Sequence, residues 1–375
     1  MTAPELRLQT ANQLEAAAER TGKLSAFVGL DGFVDLILHI VDKRESAEKF
    51  TRVPTIAKFA ERLAAAAGRS TNVEMVTAMT KLGGNGPIMA NALAAFGLRV
   101  TYLGNLGHPA IHPVFAEFAR RATVHSIAQP ACTDALEFED GKIMLGKHES
   151  LRDVNWPNIV ARFGREPLLA QMSGASLVGF VNWTMLTAMS DIWEHLQREI
   201  CPYLTGPRRT LFVDLADPEK RTADDIRHAL KLVAGFQQWF DVILGLNEKE
   251  SGEIGRVLGL DTRDNSPAGL QRLALAINER VPVQTVVVHP VAFALTASGG
   301  QTALVEGPFV AKPKITTGAG DHFNSGFCLG RLLGLDHAAS LLCGVTTSGH
   351  YVRTAQSPSV PDLVHFLRHW PERDK

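Results

Sequence analysis

Along the chain, short runs of apolar and β-branched residues alternate with longer stretches in which apolar positions recur at helical spacing. Runs at 26–41, 99–107, 175–183, 210–217, 240–247 and 285–295 have the length and composition of strands. Between them, 87–96, 113–121, 185–199, 222–240, 248–258, 267–280 and 322–333 carry helical periodicity, several opening on Pro, Thr or Asp. Strand followed repeatedly by helix predicts a mainly parallel central sheet with helices on both faces. Two segments break the rhythm. At 131–149 a polar turn around Asp140-Gly141 separates two β-like runs, the pattern of a hairpin that forms a flap or small second sheet. At 43–72, Ile56, Phe59, Ala60, Leu63 and Ala67 lie at helical spacing before Gly68, which predicts an extra surface-packed helix.

Composition narrows the function. The 375 residues hold 38 Lys+Arg against 39 Asp+Glu, so no surplus of positive charge exists to hold a nucleic acid through its phosphates. Cys132, Cys201, Cys328 and Cys343 are widely spaced and form neither a zinc ligand pattern nor a disulfide framework. The first twenty residues are polar and helix-like, and no run of eighteen apolar residues occurs. The expectation is a cytoplasmic protein without a membrane partner. No repeat, low-complexity stretch or Pro/Ser-rich linker divides the chain.

The sharpest local chemistry is Thr316-Thr317-Gly318-Ala319-Gly320-Asp321, at the start of a predicted helix and after an extended segment at 307–315. Small residues permit close backbone approach, and the first N–H groups of a helix point at whatever docks there, so the turn is a cradle for a phosphate or a developing anion. Asp321, in the first turn, stands where a carboxylate can take a proton from an attacking hydroxyl. A tight turn with Asp321 as a helix cap explains the same residues.

This stretch resembles the GAGD signature of the PfkB, ribokinase-like carbohydrate kinases. Four more features follow the family's order: Asp35 in GLDGFVDLIL, similar to a carboxylate near the end of the family's first strand; Leu82-Gly83-Gly84-Asn85-Gly86-Pro87 running into a helix; Asn247-Glu248-Lys249-Glu250, similar to an N-x-x-E element; and residues 355–361, AQSPSVP, similar to a C-terminal loop. The resemblance spans about 25–370. It implies a three-layer α/β/α domain with a small β lid, and one domain over 1–375 with an N-terminal extension (1–24), a helical insert (43–72) and a lid hairpin (about 131–149). It implies an ATP-dependent kinase acting on a hydroxyl of a sugar or sugar-like molecule. Asp321 is then the base, and the Gly318, Ala319 and Gly320 N–H groups the anion hole. Asp35, Gly83, Gly84, Asn85 and Asn182 hold the acceptor. Asn247, Thr316, Gly318, Gly320 and Cys343 face ATP, while Glu250 and Asn247 hold Mg²⁺ largely through water. A homodimer through the lid is a further expectation.

Departures from the family pattern are specific. Ile88 stands where an Asn is common, with Asn85 able to substitute for it. His289–Ala294 replaces a Thr-x-Gly-x-x-Gly turn on the nucleotide side, and His108 replaces an Asp. Ile315 replaces the aspartate that often precedes the paired threonines, which leaves a monovalent cation as the one open cofactor. The stretch 141–148, GKIMLGKH, imitates a P-loop but lacks the final Ser/Thr and sits in the hairpin. A nucleoside kinase, or a weakly catalytic regulator that binds sugar or nucleotide, are the alternatives; a Rossmann dehydrogenase is disfavoured because no G-x-G-x-x-G follows the first strand.

Overall fold

The computed structural model describes residues 2–371. Its fourteen strands are β1 Ser25–Leu30, β2 Phe33–Arg44, β3 Phe50–Arg52, β4 Met75–Gly83, β5 Arg99–Gly104, β6 Thr123–Ser126, β7 Ala131–Phe138, β8 Gly141–Lys147, β9 Leu177–Val181, β10 Arg209–Asp214, β11 Phe240–Leu246, β12 Thr285–Val288, β13 Phe293–Ser298 and β14 Gln301–Glu306. Nine of them form one sheet in the order β14-β13-β12-β11-β10-β9-β1-β5-β6. Every pairing from β12 to β6 is parallel, and β12-β13-β14 is an antiparallel edge.

Alternation along the central strands builds a core on each face. Phe27, Leu211 and Val213 point into one cluster, under helices that include Ala223–Phe236 and Pro267–Arg280. Val28 and Phe212 point into the other, under helices that include α1 (Ala3–Ala17), Ala319–Leu332 and His337–Thr354. The result is the three-layer α/β/α fold with a mainly parallel sheet. Strands buried on both faces read as continuous apolar runs, which is why these were legible. The N-terminal helix α1 is held by Leu14, fully buried, and by Arg368 pairing with Glu15 at 2.6 Å.

The run at 26–41 is two strands in two sheets. At Asp31-Gly32 the chain leaves the central sheet and enters a smaller one, the lid, in which β2 pairs antiparallel with β4 and β3 and parallel with β7, which in turn pairs with β8. Gly32 is required there because a Cβ would stand 2.7 Å from the Asn105 carbonyl oxygen. The run at 285–295 is likewise divided into β12 and β13, with Pro290, which cannot donate to a ladder, in the turn. The extended segment at 307–315 is irregular backbone; the strand ahead of it is β14.

The predicted hairpin is β7–β8. The 43–72 segment lies against the lid, and it holds more than a helix: the end of β2, then β3, then a helix at Ile56–Ala65. Phe59 of that helix packs on Phe138, ring centroids 5.6 Å apart, in a cluster with Leu38, Ile40, Val53 and Leu136. Leu63, read as part of the apolar stripe, stays 46% exposed. Among the described residues, no helix is long and apolar enough to cross a membrane.

Candidate active site

Two helices open on the same cleft, each behind a glycine with positive φ. Gly84, at φ +98°, precedes α2 (Asn85–Ala95), and Gly318, at φ +89°, precedes α3 (Ala319–Leu332). Only glycine adopts such angles without strain; the first N–H groups of α2 are taken up by the buried Asp31 carboxylate, whereas the start of α3 faces the cleft. The cleft has a volume of about 460 Å³ and lies between the lid and the C-terminal ends of the central strands, the end where open α/β sheets bind ligands. Phe33, Asp35, Thr133, Met144 and His148 line it from the lid side, and Asn182, Asp214, Asn247, Glu250, Gly318, Gly320 and Asp321 from the body.

Asp321 stands at the third position of α3, 6% exposed. The Asn85 side-chain amide donates to its Oδ1 at 3.0 Å, so residues 236 apart in sequence are brought into contact. Burial pushes Asp321 up to about 8; the Asn85 bond opposes the rise, and the nearby Asp31 and Glu250 carboxylates add to it. A carboxyl in that range is poised for proton exchange near neutrality. The turn ahead of it is braced from behind: Tyr351 donates to the Thr317 carbonyl at 3.0 Å, and His322 joins the Gly318 carbonyl (2.7 Å) to Ser357 (2.9 Å) while stacking on Tyr351.

Asp35, from β2, is buried and raised above the ordinary carboxylate range by desolvation, with Lys81 and Thr133 opposing. Gly83 lies directly beneath it, where a Cβ would come within 2.5 Å of the carboxylate. At the end of β9, Asn182 takes φ +63° and donates its Nδ2 to Asp31 at 2.7 Å. Its Oδ1 is buried and has no partner.

On the phosphate side, Asn247 and Glu250 form a reciprocal helix cap: the Glu250 N–H donates to Asn247 Oδ1 at 2.9 Å, and the Asn247 N–H to Glu250 Oε2 at 2.8 Å. Glu250 Oε1 also accepts the Asp217 N–H at 2.9 Å. Asp214 accepts from the Ala216 N–H and from Asn324, at 2.8 and 2.9 Å. Burial raises both carboxyls, and their mutual repulsion raises Asp214 further. Among the described residues, no three His, Cys, Asp or Glu side chains converge as a direct metal ligand set. The donor set nevertheless fits a hard cation held through its own waters, since each of these oxygens already accepts an N–H bond and repulsion between the acids favours a positive charge.

The structure thus brings Asp35, Gly84, Asn85, Asn182, Asn247, Glu250, Gly318, Gly320 and Asp321 to one cleft. Other expected residues stand elsewhere. Cys343 is fully buried in the helix His337–Thr354 and does not reach the cleft, because its side chain is core. Thr316 is exposed and Thr317 lines the cleft instead. The Ala319 N–H is committed to the Thr316 carbonyl at 3.1 Å, so the free donors of the turn are those of Gly318 and Gly320. Asp31, Asp214, Asp217, His148 and Lys220 were not singled out from the sequence. They stand at strand ends and in turns that carry no local signature: Asp31 between β1 and β2, His148 just past β8, Asp214 at the end of β10, and Asp217 and Lys220 between β10 and the helix Ala223–Phe236.

Comparison with known proteins shows the family and the fold. The model of the family described as prokaryotic ketohexokinase matches residues 8–370. A ketohexokinase from Haloferax volcanii is 31% identical over 354 residues, covering 94% of this chain and 93% of that one. Among solved structures, the Arabidopsis thaliana ribokinase complexed with ribose and ATP superposes with a TM-score of 0.64 at 14% identity, covering 92% of this chain and 98% of that one. A carbohydrate kinase from Agrobacterium tumefaciens gives 0.60 at 18% identity, with 92% and 97% covered. The chain belongs to the prokaryotic ketohexokinase family, a branch of the PfkB, ribokinase-like carbohydrate kinases.

Proposed function

We propose that this protein transfers the γ-phosphoryl group of ATP to a hydroxyl of a ketohexose. The observation that carries the reading is the pairing of two complementary surfaces in one cleft. On one side acceptors border the cleft: the Asp35 and Asp321 carboxylates and the orphaned Asn182 Oδ1. Such a wall suits an uncharged molecule with several O–H donors, and the name shared by the matching family and the Haloferax relative supplies the class of sugar. On the other side, the Gly318 and Gly320 N–H groups at the start of α3 suit a phosphoryl group gaining negative charge.

In this reading, Asp321 takes the proton of the acceptor hydroxyl as its oxygen bonds to the γ-phosphorus and the bond to the ADP oxygen breaks. Asn85 holds Asp321 in line. Asp35, Asn85 and Asn182 orient the sugar above the backbone of Gly83 and Gly84. Asn247, Thr317 and His289 border the nucleotide. Kinases of this family use ATP and Mg²⁺, and Glu250 with Asp214 and Asn247 would hold the ion through its waters, where it neutralises phosphate charge. The whole chain is read as one kinase domain with its lid. Release of ADP measured with D-fructose, other hexoses, cyclitols and nucleosides tests the proposal: turnover confined to ketohexoses supports it, and preferential turnover of nucleosides refutes it.

A further inference from the structure

We infer that Asp31 is a positioning residue that sets the hydrogen-bond polarity of the acceptor site through Asn85 and Asn182. Asp31 occupies the two-residue passage between β1 and β2, is 0% exposed and does not line the cleft. Its Oδ1 accepts the Gly86 N–H at 2.8 Å, and its Oδ2 accepts the Asn85 N–H at 3.0 Å and the Asn182 Nδ2 at 2.7 Å. Tyr102 donates to the Asp31 carbonyl and lies 3.4 Å from Oδ1. One carboxylate therefore gathers the start of α2 and the end of β9, segments that begin 54 and 151 residues away.

A carboxylate accepts hydrogen bonds and donates none, whereas a carboxamide does both. Because Asp31 can only accept, the Asn182 amide must turn its Nδ2 inward, which leaves Oδ1 as the atom without a partner at the cleft wall. Because Asp31 also fixes the Asn85 backbone, the Asn85 side chain is delivered to Asp321 at 3.0 Å. The acceptor-only character of one hidden group thus sets which atoms of two amides face the cleft. Replacing Asp31 by Asn places an NH₂ against N–H donors whichever way it turns, and it permits Asn182 to reverse.

This inference rests on the acceptor-site reading above, and two measurements keep the two separable. The first is a double-mutant cycle of Asp31→Asn and Asn182→Ala, read as kcat and KM for the ketohexose and for ATP. The expected result is a loss of about 10²-fold in acceptor kcat/KM for Asp31→Asn with KM for ATP within about twofold of wild type, the size of effect that follows a misplacement of about 1 Å. In the Asn182→Ala background the same change costs markedly less. Additive losses, or an equal rise in the KM for ATP, overturn the inference. The second is the ligand-free crystal structure of Asp31→Asn, which requires no knowledge of the substrate. Displacement of the Asn85 side chain from Asp321, or reversal of the Asn182 amide, is expected; unchanged positions of both overturn the inference even where the wild-type enzyme proves to use another acceptor.

Discussion

Gly83→Ala is a one-methyl probe of whether Asp35 holds the acceptor. Gly83 does not have a positive φ, so alanine introduces no backbone strain of that kind. The added Cβ would stand 2.5 Å from Asp35 Oδ2 and 2.6 Å from both Cγ and Oδ1. An ordinary contact there is about 3.5 Å, so the whole carboxylate must retreat by about 1 Å: turning about Cβ–Cγ leaves Cγ in place, and turning about Cα–Cβ swings the carboxylate out of its position. Overpacking of this kind costs about 1–3 kcal/mol of stability, which a domain of this size tolerates. A 1 Å displacement of a substrate-holding group costs about 10²-fold in kcat/KM. Steady-state kinetics with the ketohexose varied at saturating ATP, and then ATP varied at saturating sugar, separate the two sites. The expected pattern is a large loss on the sugar side and a KM for ATP within about twofold of wild type. A sugar kcat/KM within threefold of wild type, with the variant shown to be folded, refutes the placement of Asp35 in the acceptor site.

Two further outcomes follow from burial. Phe59→Ala removes the aromatic anchor between the inserted helix and the lid sheet and costs about 3–5 kcal/mol of packing; hydrogen exchange should quicken in β7 and β8 while β9 to β12 stay protected, and exchange confined to the inserted helix would show that the helix does not support the lid. Folding raises Asp31 to about 6 and Asp321 to about 8 from the ordinary 3.8, so the folded state binds protons more tightly than the unfolded one and stability falls as pH rises from about 4 through 8; urea denaturation across that window should show a smaller decline for Asp321→Asn than for wild type, and equal declines would contradict the assigned origin.

What the sequence revealed and what it hid have the same physical basis. Signals carried by contiguous backbone were legible: the Gly318–Asp321 turn opening a helix, the doubly buried strands, the β7–β8 hairpin. Roles that depend on contacts made across the fold were not. Asp31 reads as one polar residue in an apolar run, because its partners lie in α2 and at the end of β9, and the same run concealed the passage from one sheet to another. The strand β4 escaped notice because most of its residues are exposed or half-buried and its pattern is weak. Cys343 was placed by analogy of position, whereas burial among the helices of α3 and 337–354 determines where its side chain goes. Glu250 shows both influences: its helix cap is a local feature, while its neighbour Asp214 arrives from a different strand.

Removal of the proton from the acceptor hydroxyl is the role proposed for Asp321. It is tested most directly by the pH dependence of ketohexose kcat/KM in wild type and in Asp321→Asn. Because only the ionised carboxylate accepts a proton, wild-type activity should rise with pH to a plateau with a midpoint near 8, and the folded variant should lose about 10²–10⁴-fold and the limb together. A folded Asp321→Asn protein that retains near-normal turnover, or that keeps the same rising limb, would exclude Asp321 as the base.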